Sequence, residues 1–283
     1  MKTVLKQIAK IHKEIVNDLA SLVAIPSVST DGKHGRELDR SATKVSSLLR
    51  KSGLENVKIL RIGKSNPFVY GDWLHAPGAP TIFLYSHHDV QPAAATNEWK
   101  SSPWTLTRRK RRLYGRGAAD DKGAIVAQAG AVAAFLKSSG KLPVNIKMLV
   151  EGEEEIGSPN LQAFFNRYKK LIKSDVIVVC DTDNVAPDIP CITYSLRGIV
   201  EALVEVQSAK EPRHSGMAGG VAPDAAMALN VILSRLYSSN GPPPIPGFET
   251  GIVPLSAEER QWLEQLPNSP ESWRKELSVL DGV

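Results

Sequence analysis

Four short segments of this chain gather side chains that hold cations or move protons: SHHDV (Ser86 to Val90), GRGAADDKG (Gly115 to Gly123), EGEEEIGS (Glu151 to Ser158) and CDTDN (Cys180 to Asn184). The donors they offer are carboxylate oxygens and imidazoles, a hard set that suits two divalent cations sharing one carboxylate. Cations held in that way lower the pKa of a bridging water, and a nearby carboxylate that is not a ligand takes its proton. The run Glu153, Glu154, Glu155 has a glutamate to spare for that task. Each segment alone has a plainer reading. A lone H-x-D is a hydrogen-bonded strand end, three glutamates form a solvated loop, Asp120 and Asp121 favour a helix N-terminus, and Asp181 and Asp183 cap a turn. Their joint occurrence is what favours the chemical reading.

Within SHHDV, residues i and i+2 of an extended segment share a side, so His87 and Asp89 point together and His88 points away. A ligating imidazole donates its second N–H to a carboxylate or carbonyl that fixes its tautomer. His87 is therefore the ligand candidate and Asp89 its supporting acid. The bunched glutamates raise one another's pKa unless positive charge lies nearby.

Rigid elements must bring these segments together. Val4, Leu5, Ile8, Ile11, Ile15, Leu19 and Leu22 recur at helical spacing and predict an amphipathic helix ending near Pro26; a second helix fits 36–52. Apolar runs predict strands over 81–86, 144–150 and 175–180, alternating with helices over 122–137 and 158–170. That alternation predicts an α/β fold, a largely parallel mixed sheet flanked by helices. Three of the chemical segments follow the predicted strands, where open α/β sheets collect ligands, and GRGAADDKG sits just before a predicted helix. After residue 197 the texture changes. Val200, Ala202, Val204 and Val206 alternate like a half-buried strand, the Gly-rich HSGMAGG follows, and 223–237 reads as helix. The expected division is a catalytic domain over 1–197 and a smaller α+β domain over 198–283.

A chain of 283 residues with 42% hydrophobic residues holds a real core, and its formal charge of +5 names no partner. Much of the basic excess sits in RRKRR (Arg108 to Arg112), an isolated run without interleaved aromatics, so no nucleic-acid partner is expected. Two cysteines, Cys180 and Cys191, are too few for a disulfide scaffold or a thiolate metal site. Charges thread the N-terminal segment, which reads as neither signal peptide nor membrane span, so the expected setting is cytoplasmic with no membrane partner.

Taken in order, SVST, LYSHHDVQP, PW, LYGRGAADDKG, EGEEEIGS, ITYSLRG, HSGMAGG and PGF resemble the M20 metallopeptidases over essentially the whole chain. The succession His-x-Asp, Asp-Asp-Lys-Gly, Glu-Glu, Asp is most similar to their dipeptidase or carnosinase-like branch. The resemblance implies a zinc-exopeptidase-like catalytic domain with a lid and dimerisation domain. It implies two divalent cations, zinc first, with manganese or cobalt as alternatives. His87 then matches a ligand of one cation, Asp89 the aspartate that orients the site, and Asp120 the bridging carboxylate. Glu154 matches the general base, and Glu155 a ligand of the other cation. Asp181 matches the remaining aspartate better than Asp183, because it keeps the family's gapless distance to ITYSLRG. His214 of RHSG matches a histidine that reaches the substrate carbonyl oxygen across a homodimer.

The chain also departs from the pattern. Family members continue beyond this length and supply a last histidine ligand, and none of His12, His34, His75 or His88 lies in that closing motif. The expectation is a C-terminally truncated member whose first site, His87, Asp120 and Asp181, is complete, while the second keeps Asp120 and Glu155 alone. At RRKRRLYG, Lys110 and Arg111 stand where relatives carry an Asp-Gly-like turn, so the hairpin is expected to lose its positive-φ residue. The function implied is metal-dependent hydrolysis of the amide bond of a small peptide. The alternatives are a non-catalytic remnant or subunit and a related deacylase of N-acyl amino acids.

Overall fold

The computed structural model of the chain describes residues 1–94, 98–182, 184–186, 188–196, 198–238, 241–267 and 270–277. It separates into two compact units, Met1–Asp183 and Asn184–Val283.

The first unit is a layered α/β structure. Helices α1 (Lys2–Val23) and α2 (Gly35–Ser52) lead to strands β1 (Glu55–Leu60), β2 (Phe68–Trp73) and β3 (Thr81–His87). A hairpin of β4 (Thr107–Arg109) and β5 (Arg112–Tyr114) precedes α3 (Lys122–Ser139) and β6 (Asn145–Glu151). Helices α4 (Leu161–Arg167) and α5 (Lys169–Ile172) and strand β7 (Val176–Val179) complete it. The main sheet has the order β1-β2-β6-β3-β7. Its β1–β2 and β2–β6 pairs are antiparallel, and its β3–β6 and β3–β7 pairs parallel. The α/β class, with a mixed sheet between helices, is the one the sequence predicts.

Period-two alternation sorts the side chains of β6 into two cores. Ile146, Met148 and Val150 pack with Leu22, Val45, Leu49, Ile125 and Val126 of the three long helices. Leu149 faces the other way, into a cluster with Phe68, Tyr70, Phe83, Tyr85 and Phe164. There Phe68 and Phe164 stack with ring centroids 4.6 Å apart. Helix α2 stops at Gly53, whose φ of 97° closes the last turn in the left-handed region.

Two local expectations change, and one strand goes unpredicted. The helix predicted over 158–170 is two short helices broken at Tyr168, the residue between α4 and α5. Strand β2 escapes a periodicity search because all six of its residues are buried, Asp72 included; that carboxylate is satisfied by Tyr70 Oη at 2.8 Å and Asn56 Nδ2 at 2.9 Å. The β4–β5 hairpin keeps a left-handed residue after all, on Lys110 with φ 55°. Pairing of Arg109 with Arg112 forces that geometry on a non-glycine residue, at a cost of about 1–2 kcal/mol.

The second unit contains the short helices α6 (Ser215–Ala218), α7 (Ala225–Ser234), α8 (Ala257–Glu264) and α9 (Pro270–Glu276). Helix α8 opens with a capping box between Ser256 and Glu259. The strand predicted over 200–206 does not form, and Val200 is 83% exposed. Alternation marks a segment able to pair, but a strand exists only where a neighbouring backbone takes its N–H and C=O groups. Among the described residues of this unit none is buried.

Candidate metal centre

Strands β3, β6 and β7 run parallel, and His87, Asp89, Glu154, Glu155 and Asp181 lie at or just beyond their C-terminal ends. His87 closes β3 opposite Glu151, the last residue of β6. Asp181 follows β7 one residue after Cys180, whose N–H donates to Tyr85 O. Asp120 and Asp121 precede α3 and are joined by a cis peptide bond.

His87, Asp120 and Asp181 each present a ligand atom, and these atoms lie within 4.8 Å of one another. His87 is fully buried, and its Nε2 sits 3.0 Å from Asp120 Oδ1, 3.7 Å from Asp181 Oδ2 and 4.0 Å from Glu154 Oε2. Despite that proximity, Nε2 makes no hydrogen bond with acceptable geometry among the described residues. The other ring nitrogen, Nδ1, is 3.0 Å from the backbone carbonyl of Asp89 and 3.4 Å from its Oδ1. Both are acceptors, so Nδ1 carries a proton, and Nε2 is the ring atom that faces the carboxylates. Burial by itself lowers the pKa of His87, but Asp181 and Asp89 outweigh it and hold the ring up at about 11. The site thus demands positive charge. A divalent cation meets that demand with a neutral imidazole, and one histidine with two aspartates is a fitting donor set.

Asp89 acts mainly on its surroundings. Its Oδ2 accepts from Ser29 Oγ at 2.7 Å and from the N–H of Glu155 at 3.1 Å, while Oδ1 accepts from the N–H of Glu154 at 3.2 Å. The His87 ring is held more closely by the Asp89 carbonyl than by its carboxylate. Burial works to raise the Asp89 pKa, yet His87 and Ser29 prevail and keep it below the usual value.

The three consecutive glutamates have separate situations. Glu153 is buried and structural, with Oε1 accepting from Asn66 N–H and Oε2 from Asn160 Nδ2. Glu154 turns toward His87, and partial burial, helped by Asp181 and Glu155, raises its pKa against the opposing charge of His87. Glu155 lies outside the three-residue group, and both of its carboxylate oxygens accept from Gln91. His88 is fully buried on the other side of the strand, with Nε2 3.0 Å from Pro67 O. Burial depresses its pKa to about 4, which keeps it neutral.

Three residues that sequence reasoning passed over, and Asp121, which it placed at a helix N-terminus, support this arrangement. Ser29 holds Asp89, and Gln91 holds Glu155. Asp121 Oδ2 accepts the N–H of His87 at 3.0 Å, and burial pushes its pKa up to about 8. Buried Lys122 donates to Leu22 O and Ile25 O, tying the end of α1 to the start of α3. The only signal for these four was membership of SVST, DVQP and DDKG, which specifies no partner. His214, in the second unit, caps α6 by accepting the N–H of Gly216 at Nδ1. Asp183, the rival of Asp181, lies outside the described residues.

A family model described as peptidase family M20/M25/M40 matches residues 83–246. The chain is 33% identical to a cysteinylglycine-S-conjugate dipeptidase of Corynebacterium striatum over 96% of its own length and 58% of that protein. It is likewise 33% identical to the human Beta-Ala-His dipeptidase, over 94% of this chain and 55% of the relative. The crystal structure of human carnosine dipeptidase 1 matches with a TM-score of 0.73 at 29% identity, covering 98% of this chain and 61% of that one. The M20 family metallo-carboxypeptidase Sso-CP2 from Sulfolobus solfataricus gives 0.74 at 26% identity, over 95% and 60%. The chain therefore spans less than two thirds of the relatives it matches.

Proposed function

Because the chain belongs to peptidase family M20/M25/M40, we propose that it is a metal-dependent dipeptidase, hydrolysing the amide bond of a small peptide at the C-terminal edge of its sheet. One observation carries this reading: the buried, unbonded Nε2 of His87 faces Asp120 and Asp181, with the carboxylate of Glu154 4.0 Å away. In this reading His87, Asp120 and Asp181 hold one cation, Asp120 and Glu155 contribute to a second, and zinc is the first choice for both. Bound cations supply electrophilic polarisation of the scissile carbonyl and acidify water.

The chain's own residues do the rest. Glu154 accepts a proton from the attacking water and returns it to the leaving amine, a task suited to a carboxylate that no hydrogen bond among the described residues holds. Asp89 fixes the backbone at Glu154 and Glu155 and so aims both side chains. His214 of a paired second copy donates to the carbonyl oxygen, a role that fits its bonding: with Nδ1 accepting from Gly216, Nε2 is the donor. In this assignment the second unit is a lid through which two copies pair.

The test is dipeptide hydrolysis and metal content of the zinc- or manganese-loaded chain beside its Glu154→Ala variant. The variant is expected to lose turnover and keep the cation at His87, Asp120 and Asp181. Hydrolysis by the variant at the original rate would sink the role of Glu154, and absence of any hydrolysis by the loaded parent chain would sink the dipeptidase. A second reading, a non-catalytic chain holding one cation, draws on there being a single ligand group of three among the described residues; a content of one cation per chain without turnover supports it.

A further inference from the structure

Adjacent glutamates in one short turn pose a problem of selection: one must stay fixed on a cation while the other stays free to carry a proton. Nothing in the covalent structure distinguishes Glu154 from Glu155. Both lie in the 3-10 turn Glu154–Ile156, and the N–H of each donates to Asp89.

Their carboxylates differ. Gln91 reaches Glu155 three times: its N–H donates to Oε1 at 3.0 Å, its Nε2 to Oε2 at 2.8 Å, and the same Nε2 to the Glu155 carbonyl at 3.3 Å. Both carboxylate oxygens are acceptors, so the amide nitrogen of Gln91, not its oxygen, must face them. Each oxygen accepts one N–H and retains lone-pair capacity for a further partner. The clamp therefore orients the carboxylate without consuming it, as hydrogen bonds to ligating carboxylates generally do. Holding a glutamate side chain in one conformation costs rotamer entropy, which these bonds offset in advance. No hydrogen bond holds the Glu154 carboxylate among the described residues.

We propose that Gln91 is a positioning residue that commits Glu155 to ligation of the second cation and thereby leaves Glu154 as the mobile proton carrier. The inference rests on the assignment of Glu155 as a ligand made above. It gives the segment after β3 two functions: Asp89 fixes the backbone of the turn, and two residues later Gln91 selects between its side chains.

The experiment titrates zinc, and separately manganese, into the full chain and resolves a first and a second binding event by chelator competition. The parent chain is compared with Gln91→Met, which preserves side-chain length without the amide, and with Glu155→Gln; thermal unfolding reports on folding. Gln91→Met is expected to weaken the second cation about 10–100-fold and leave the first within error. Glu155→Gln is expected to weaken the second at least as much. If Gln91→Met keeps parental second-site affinity while Glu155→Gln loses it, the positioning role is overturned and the ligand assignment stands. If Glu155→Gln has no effect, or the parent binds one cation only, the ligand assignment fails and takes the inference with it. Equal weakening of both events in Gln91→Met would mark general damage to the fold and also overturn the role.

Discussion

Asp89 is the residue on which most of the site converges, because its carboxylate joins three parts of the chain. It accepts from Ser29 after α1 and from Glu154 and Glu155 after β6. A buried carboxylate needs such partners, and hydrogen bonds to a charged group contribute more than those between neutral groups. Ser29→Ala removes the shortest of the three while leaving the charge buried. We expect it to lower stability by about 1.5–3 kcal/mol in urea unfolding, and to weaken cation binding at His87 because the segment over 87–89 loses one anchor. An unchanged unfolding midpoint would mean that water replaces the serine hydroxyl without cost.

At the scale of elements, the site depends on how closely the end of β6 can approach the segment before β2. Gly152 follows Glu151, and a Cβ there would meet Pro67 O at 2.7 Å and His88 Nε2 at 2.9 Å. The first obstacle is backbone and the second a fully buried ring, so neither gives way easily. Gly152→Ala is expected to destabilise the first unit by about 1–3 kcal/mol, as overpacking does, and to displace Glu154 and Glu155 from their turn. Thermal unfolding together with cation titration reads both effects; a variant unchanged in both would show that the strand end adapts. The hairpin makes a similar point in reverse: Lys110 adopts a left-handed conformation because strand pairing on either side demands it, whatever the residue.

For the whole molecule, order is distributed unequally. The buried hydrophobic residues lie between Val4 and Phe164, and among the described residues of the second unit none is buried. Local stability follows apolar burial and paired backbone groups. Amide hydrogen exchange is expected to be slowest in β3, β6 and α3 and fast over 198–210, where no strand forms. Comparable protection in that segment, measured on the full chain, would contradict this distribution. Strand β7 occupies one edge of the sheet with Val176, Ile177 and Val179 between 50% and 64% exposed. Such an edge favours association with another strand or covering surface.

The sequence by itself determined which residue types could do the chemistry, that most of them follow strands of an α/β fold, and that His87 and Asp89 share a side while His88 does not. These follow from covalent order and from the two-residue and 3.6-residue periods of regular structure, which are local properties. Only the tertiary structure decided which partners three consecutive glutamates meet, that the Asp89 carbonyl lies nearer the His87 ring than the Asp89 carboxylate does, and that β2 is buried on both faces. It also decided that the alternating residues 200–206 form no strand. The situations of the glutamates are set by hydrogen-bonding partners distant in sequence. Gln91 and Glu155 are 64 residues apart, and Asn66 and Glu153 are 87 apart. A periodicity in the chain specifies which way a side chain points, but not what it will find there.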